Sequence, residues 1–220
     1  VFSKLGTIGR LKTKRPDMIV IVAGCVAQVS STRIREQTPF VDIVVGPRSI
    51  SGLAQAVLKA SGRPQLLTDD TEIIPEGLGF SRAPGVAAFV NVSYGCNNFC
   101  AYCIVPYARG REQSREPRAV VDEVKRAVDD GYREVTLLGQ NVNSYRGDGV
   151  DFPDLLVLVD AVGGLERLRF TTSHPKDLSP RLLDAMAQLP TVCEHLHLPI
   201  QAGDDEVLRR MGRGYTCAHY

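Results

Sequence analysis

The chain has 220 residues, 44% of them apolar, enough for one large core or two small ones. Lys and Arg number 26 against 25 Asp and Glu, so the formal charge of +1 excludes a chain that binds polyanions through its bulk charge; any nucleic-acid contact must come from local patches. No apolar run approaches the roughly 20 residues of a membrane span, and the opening stretch lacks the layout of a signal peptide, so we expect a soluble, cytoplasmic protein with no membrane partner.

From residue 18 the pattern reads strand (Met18 to Ala23), helix (Thr32 to Gln37), strand (Val41 to Val45) and helix (Ser49 to Ala60), an α/β unit that we place at 1–62. Periodicity then fades as Gly62, Pro64, Asp69, Asp70, Pro75, Gly77, Gly79, Pro84 and Gly85 accumulate, and we read 63–85 as a linker. A second series fills 86–220. Its expected strands are Ala88 to Ser93, Glu134 to Leu138, Arg167 to Thr171 and His195 to Pro199, each followed by a helical stretch. Pro117 and Pro180 stand at first helical positions, Ser179 and Asp204 are suited to cap helices, and Gly131 ends one. Val120, Val121, Val124 and Val128 form an apolar stripe, with Asp122, Glu123, Lys125 and Arg126 expected mostly to face water.

Alternating strands and helices imply a parallel sheet with right-handed crossovers, as either a barrel or an open sheet. The unusual residues all follow expected strands: Gly95-Cys96, Gly139-Gln140-Asn141, Ser173-His174-Pro175 and Gln201-Ala202-Gly203. In parallel α/β folds such loops converge on one face, which carries the site.

Six cysteines in a chain this long, with this much regular α/β pattern, suit metal ligation better than a disulfide scaffold. Cys96, Cys100 and Cys103 fall within eight residues, whereas Cys25, Cys193 and Cys217 are scattered. A [4Fe–4S] cluster is commonly held by four thiolates, one per iron. Three leave one iron open to the amino and carboxylate groups of a ligand such as S-adenosylmethionine. The alternative is a structural zinc site, but zinc wants a fourth Cys or His, and none stands within ten residues on either side.

Cys96-Asn97-Asn98-Phe99-Cys100-Ala101-Tyr102-Cys103 resembles the radical S-adenosylmethionine signature, with Tyr102 as its aromatic residue before the last cysteine. The run from Tyr94 through Ile104-Val105-Pro106-Tyr107-Ala108-Arg109-Gly110-Arg111-Glu112 to Ser114-Arg115 is similar to the methylthiotransferase branch. Leu138 to Tyr145 resembles its tRNA-modifying MiaB type, and His195 to Gln201 and Arg213 to Thr216 also match. The resemblance implies an N-terminal methylthiotransferase α/β domain followed by a partial radical-SAM (β/α) barrel with parallel strands. It implies that Tyr102, Gln140, Asn141, Ser173 and Gln201 bind cofactor.

On residue type alone Cys25 is a small core residue. Within the resemblance, Gly24-Cys25-Val26-Ala27-Gln28 marks one ligand of a second [4Fe–4S] cluster, so two clusters are expected in the full-length protein. No cysteine precedes Cys25. We therefore expect this chain to be a fragment, with two more cysteines before Val1 and further strands and an RNA-binding module after Tyr220. Cys193 and Cys217 match no ligand position and read as structural or exposed thiols.

Arg109, Arg111, Arg115 and Arg118 follow the cysteine loop, and Lys12, Lys14 and Arg15 form a second basic group. The first three are candidate RNA contacts; the alternative is a solvated surface with Glu112 and Glu116 as ion-pair partners. His174, His195 and His197 receive no catalytic role.

The implied activity is methylthiolation at C2 of N6-isopentenyladenosine at position 37 of tRNA, with flavodoxin or ferredoxin as electron donor and a monomeric enzyme. Its alternatives are a methylthiotransferase for threonylcarbamoyl-adenosine tRNA or a ribosomal protein, and a non-catalytic, zinc-stabilised RNA-binding module.

Overall fold

The computed structural model describes residues 1–59, 64–68 and 82–220, and most of the expected linker lies outside them. The chain forms two compact units, Val1–Pro75 with Tyr107–Gly110, and Glu76–Pro106 with Arg111–Tyr220.

The first unit opens with a helix, α1 (Phe2–Lys14), that the sequence reading missed. Only Leu5 of that helix is buried, so its apolar stripe is too thin to announce itself. There follow β1 (Ile21–Ala23), α2 (Cys25–Val29), α3 (Ser31–Gln37), β2 (Ile43–Val45), a 3₁₀ turn (Pro47–Gly52), α4 (Leu53–Leu58) and β3 (Gln65–Leu67). The three strands are parallel in the order β1-β2-β3. Every residue of β2 is buried because both sheet faces are covered. Val44 packs with Leu5, Val20, Val22, Ala27, Ile34 and Val41, while Ile43 and Val45 pack with Ala56. Strand β3 lies inside the stretch read as linker. Its short Gln-Leu-Leu core shows no alternation of its own, and its place comes from ladder bonds such as Gly46 N–H to the Leu67 carbonyl at 2.7 Å.

The second unit is built on β4 (Ala87–Asn91), β7 (Glu134–Leu138) and β10 (Arg167–Thr171). They are parallel and adjacent in chain order. Between β4 and β7 lie β5 (Ser93–Tyr94), α5 (Val105–Arg109), β6 (Gln113–Ser114) and α6 (Pro117–Asp129). Between β7 and β10 lie β8 (Arg146–Gly147), β9 (Val150–Asp151) and α7 (Phe152–Asp160); α8 (Pro180–Gln188) and α9 (Asp205–Arg210) complete the unit.

In register, Ala88, Val135 and Leu168 form one row and Val90, Leu137 and Phe170 the next. Both rows are buried in a core with residues of α6, α7 and α8. The opposite face carries Phe89, Thr136 and Arg169, with Phe89 64% exposed. Strands that advance one place at a time, with one face filled, follow the winding of a barrel and not that of an open sheet covered on both faces.

Asp151, Ser179 and Asp204 cap their helices, accepting from the amides of Asp154 (3.1 Å), Leu182 (3.2 Å) and Val207 (2.8 Å). Pro117 and Pro180 open α6 and α8 as expected.

Two expectations need correction. Glu123 is buried, because Val120, Glu123, Val124 and Ala127 follow the i, i+3, i+4, i+7 spacing of a core-facing stripe; residue type suggested solvent, but position decided. The expected strand at His195 to Pro199 does not form. The chain pairs with β10 at the Leu168–Val192 bridge and meets it again where Ser173 N–H donates to the His197 carbonyl at 3.3 Å. Between these points His195 N–H turns back to the Cys193 carbonyl at 2.7 Å, which interrupts the ladder and leaves His195 and His197 exposed.

Candidate metal centre

Strand β5 pairs antiparallel with β6, Ser93 opposite Ser114 and Tyr94 opposite Gln113. This small hairpin closes the base of the cysteine loop just past the C-terminal end of β4. Within the loop Gly95 (φ 73°) and Phe99 (φ 45°) adopt left-handed backbone, and Cys103 N–H donates to the Cys100 carbonyl at 2.9 Å. A phenylalanine held there is strained by about 1–3 kcal/mol, and such strain persists where surrounding structure over-determines it. Cys96 and Cys100 are buried, and Cys103 is half-buried.

Burial pushes the Cys96 thiol above its ordinary value; the Asn98 amide donating to its sulfur at 3.5 Å opposes this, and Glu112, Cys100 and Cys103 add to the rise. Among the described residues no three Cys, His, Asp or Glu side chains converge on a point where one metal ion could sit. Thiolates that each meet a different iron of a cubane have no need to converge.

The segment after α9 backs this loop. Ala101 N–H donates to the Met211 carbonyl at 3.0 Å, and the buried Arg213 places Nη1 3.3 Å from Cys100 Sγ and 3.4 Å from the Tyr102 hydroxyl. Tyr102 itself is 53% exposed.

Five buried polar atoms beside the strand ends of this unit have no hydrogen-bond partner among the described residues: Ser93 Oγ, Gln140 Oε1, Asn141 Oδ1, Ser173 Oγ and His174 Nε2. Orphaned buried groups are costly, and here they occur in the loops after β4, β7 and β10, where a ligand would meet them. Those loops are tied together. Val142 N–H donates to the Thr172 carbonyl at 3.0 Å, and Asn143 and His174 exchange two bonds of 3.0 and 2.8 Å. Thr172, β-branched, sits at φ 71° and turns the chain between β10 and Ser173. Gly139 lets the β7 loop approach: a Cβ there would lie 2.7 Å from Ser93 Oγ.

His174 is held neutral. Its Nδ1 accepts from Lys176 N–H at 3.2 Å, which puts the proton on the unpartnered Nε2. Burial lowers its pKa from 6.5 to about 4, helped by Arg213 and Lys176 and opposed by Asp177. Glu112 is raised by burial; the Ser144 hydroxyl, 2.7 Å from both carboxylate oxygens, opposes the rise by donating its one proton to the carboxylate.

The structure thus places Gln140, Asn141 and Ser173 at the strand ends with buried polar atoms, whereas Gln201 is exposed at φ 71°. Arg115 is a correction. Its Nη1 lies 2.7 Å from Glu123 Oε2 and 2.7 Å from the Asn91 carbonyl, and at 5% exposure it presents no face to an RNA phosphate. Arg111 is exposed, its guanidinium 5.4 Å from the Phe99 ring centroid, and Arg109 ends α5 half-buried. Cys25 heads α2 in the other unit, half-buried; Cys193 and Cys217 are half-buried free thiols.

Sequence reasoning gave Ser93, Asn143 and Arg213 no role in a site, read Glu112 only as an ion-pair partner, and named His174 at a strand end without a task. The signals for them were their places in motif strings and at strand ends, which say nothing about which atoms end up without partners.

Residues 90–220 match the sequence pattern of the Radical SAM superfamily. The chain belongs to the radical SAM superfamily. That superfamily's [4Fe–4S] cluster and S-adenosylmethionine are accordingly its cofactors. Three thiols without a fourth ligand fit a cluster with one open iron, and the orphaned strand-end atoms fit a polar co-substrate.

This radical SAM chain is 49% identical along its whole length to the tRNA-2-methylthio-N(6)-dimethylallyladenosine synthase of Moorella thermoacetica and 46% identical to that of Caldicellulosiruptor saccharolyticus. It spans about half the length of those relatives, 51% and 48%. Among solved structures it is similar to the radical S-adenosylmethionine methyltransferase TsrM of Kitasatospora setae, with a TM-score of 0.71 at 16% identity over 98% of this chain and 50% of that one. It is also similar to the cobalamin-dependent radical enzyme OxsB, with a TM-score of 0.61 at 12% identity over 99% of this chain and 36% of that one. At such identities these two likenesses speak for the fold alone. No helix among the described residues is long and apolar enough to cross a membrane.

Proposed function

We propose that the protein containing this chain is a tRNA methylthiotransferase that adds a methylthio group to C2 of N6-isopentenyladenosine at position 37. The observation that carries this reading is 43–49% identity over the full chain to relatives that bear the dimethylallyladenosine synthase name.

In this reading Cys96, Cys100 and Cys103 hold the radical-SAM cluster and leave one iron without a protein ligand. When bound, that cluster supplies the electron for reductive cleavage of S-adenosylmethionine. Ser93, Gln140, Asn141, Ser173 and the Nε2–H of His174 orient the co-substrate by offering both donors and acceptors. The neutral state of His174 suits this task, because a donor without charge does not repel the sulfonium. Burial of these groups keeps water from competing for them. Cys25 contributes one ligand of a second cluster in the whole protein, and Arg109 and Arg111 face the tRNA; a small iron–sulfur or flavin protein delivers electrons to a monomer.

The test is mass spectrometry of tRNA nucleosides from a strain lacking the gene. Loss of the 2-methylthio group with accumulation of N6-isopentenyladenosine is expected. Unchanged 2-methylthio-N6-isopentenyladenosine, with loss at the threonylcarbamoyl nucleoside instead, would transfer the assignment to that relative.

A further inference from the structure

Arg213 is a buried cation with no carboxylate partner among the described residues. At 6% exposure its hydrogen-bond partners among the described residues are Cys100 Sγ (3.3 Å), the Tyr102 hydroxyl (3.4 Å) and the Tyr215 hydroxyl (3.4 Å). Taking a guanidinium out of water costs several kcal/mol unless an anion compensates, and neutral thiol and phenol groups compensate poorly. The buried arginine of the other cluster of charges in this unit, Arg115, does have its carboxylate in Glu123.

The arginine is also held in place. Its Nε donates to the Tyr215 hydroxyl, which donates onward to the Ile200 carbonyl, and the Tyr215 ring packs edge-on against His174 at 5.5 Å. The guanidinium carbon stands 5.5 Å from the Tyr215 ring centroid. A planar fork fixed at Nε and along its face directs Nη1 at the cysteine sulfur, a geometry the flexible ammonium of lysine does not reproduce.

We infer that Arg213 is the counter-cation and hydrogen-bond donor of the Cys100 thiolate, and that it sets the reduction potential of the cluster this thiolate ligates. The inference rests on the reading of Cys100 as a ligand. Net charge and hydrogen bonds to the sulfurs are among the determinants of such potentials. Adding an electron to an already anionic cluster is eased by a fixed positive charge and by a donor on a ligand sulfur, so Arg213 makes reduction easier. It acts through Cys100 and is a positioning residue.

The test is a redox titration, followed by electron paramagnetic resonance, of the anaerobically reconstituted full chain without co-substrate. Native protein, Arg213→Gln and Arg213→Lys are compared, with iron and sulfide counted in each. Arg213→Gln is expected to load iron yet disfavour reduction at least tenfold, a displacement of about 59 mV to more negative potential for one electron. Arg213→Lys should move less, in the same direction. A fully loaded Arg213→Gln with the native potential overturns the inference, and so assigns Arg213 a purely structural role. Should Arg213→Gln fail to load, Arg213→Lys decides: a more negative potential supports the inference and a native one overturns it. Native protein that forms no cubane overturns the cysteine assignment instead, so the two failures are distinguishable.

Discussion

Nη1 of Arg213 stands 3.3 Å from Sγ of Cys100, a contact between residues 113 positions apart. With the bond from Ala101 N–H to the Met211 carbonyl, it makes the segment after α9 the backing of the cysteine loop. The loop's own residues supply the sulfurs, and a distant segment supplies the charge and donor beside them.

Replacing Cys96, Cys100 or Cys103 by alanine should remove the radical-SAM cluster's share of the iron–sulfur chromophore and abolish S-adenosylmethionine cleavage, while far-ultraviolet circular dichroism stays close to native. Cys193→Ala and Cys217→Ala should retain iron. Iron-to-protein ratios after anaerobic reconstitution check this, and full loading of Cys100→Ala would contradict the ligand set.

Glu123 joins two arginines, Arg82 and Arg115, in a buried network. Glu123→Ala leaves both cations without their shared partner and should cost roughly 3–5 kcal/mol of stability. Arg115→Ala should likewise unfold the protein at lower denaturant while leaving the salt dependence of tRNA binding unchanged, because the side chain is enclosed. A reduced salt slope with unaltered stability would restore Arg115 to the RNA surface.

Acidification should destabilise the protein through His174. Its folded pKa of about 4 lies below the ordinary 6.5, so the unfolded chain takes up a proton first. The contribution is therefore complete above pH 6.5, fades as pH falls towards 4, and falls no further below that. The loss is on the order of 3 kcal/mol. Denaturant unfolding at pH 7 and pH 4 should show a smaller difference for His174→Gln than for the native protein; an equal difference would remove His174 as the source.

Gly147, in β8, lies against the backbone at Arg115. A Cβ at this position would fall 2.4 Å from the Arg115 carbonyl and 2.5 Å from the Tyr145 hydroxyl, which itself donates to that carbonyl at 2.7 Å. Backbone cannot swing aside as a side chain can, so Gly147→Ala should cost about 1–3 kcal/mol. Chemical denaturation checks the value, and a neutral result would mean that the β8 turn shifts freely.

Much of the architecture was legible because it depends on local chemistry. Pro117, Pro180, Ser179 and Asp204 marked helix starts through φ restriction and side-chain capping, and the apolar beat of β4, β7 and β10 identified the parallel strands. Helix α1 and strand β3 were not legible, since one carries a single buried residue and the other has no fully buried residue and lies among the Gly, Pro and Asp residues that read as linker. Glu123 and the His195 segment misled for a related reason: residue type favoured water for one and a strand for the other, and both were overruled by neighbours distant in sequence.

By itself the sequence marked the candidate ligand loop, since three thiols on one short stretch need no tertiary contact to be recognised. It also determined the α/β class, which follows from periodicity. Only the tertiary structure decided that Arg213 faces Cys100, that Arg115 is spent on Glu123, and that five polar atoms are left without partners beside the strand ends. Those are outcomes of packing: the partner of a buried polar group is set by what folding brings alongside it, and no spacing along the chain encodes that distance.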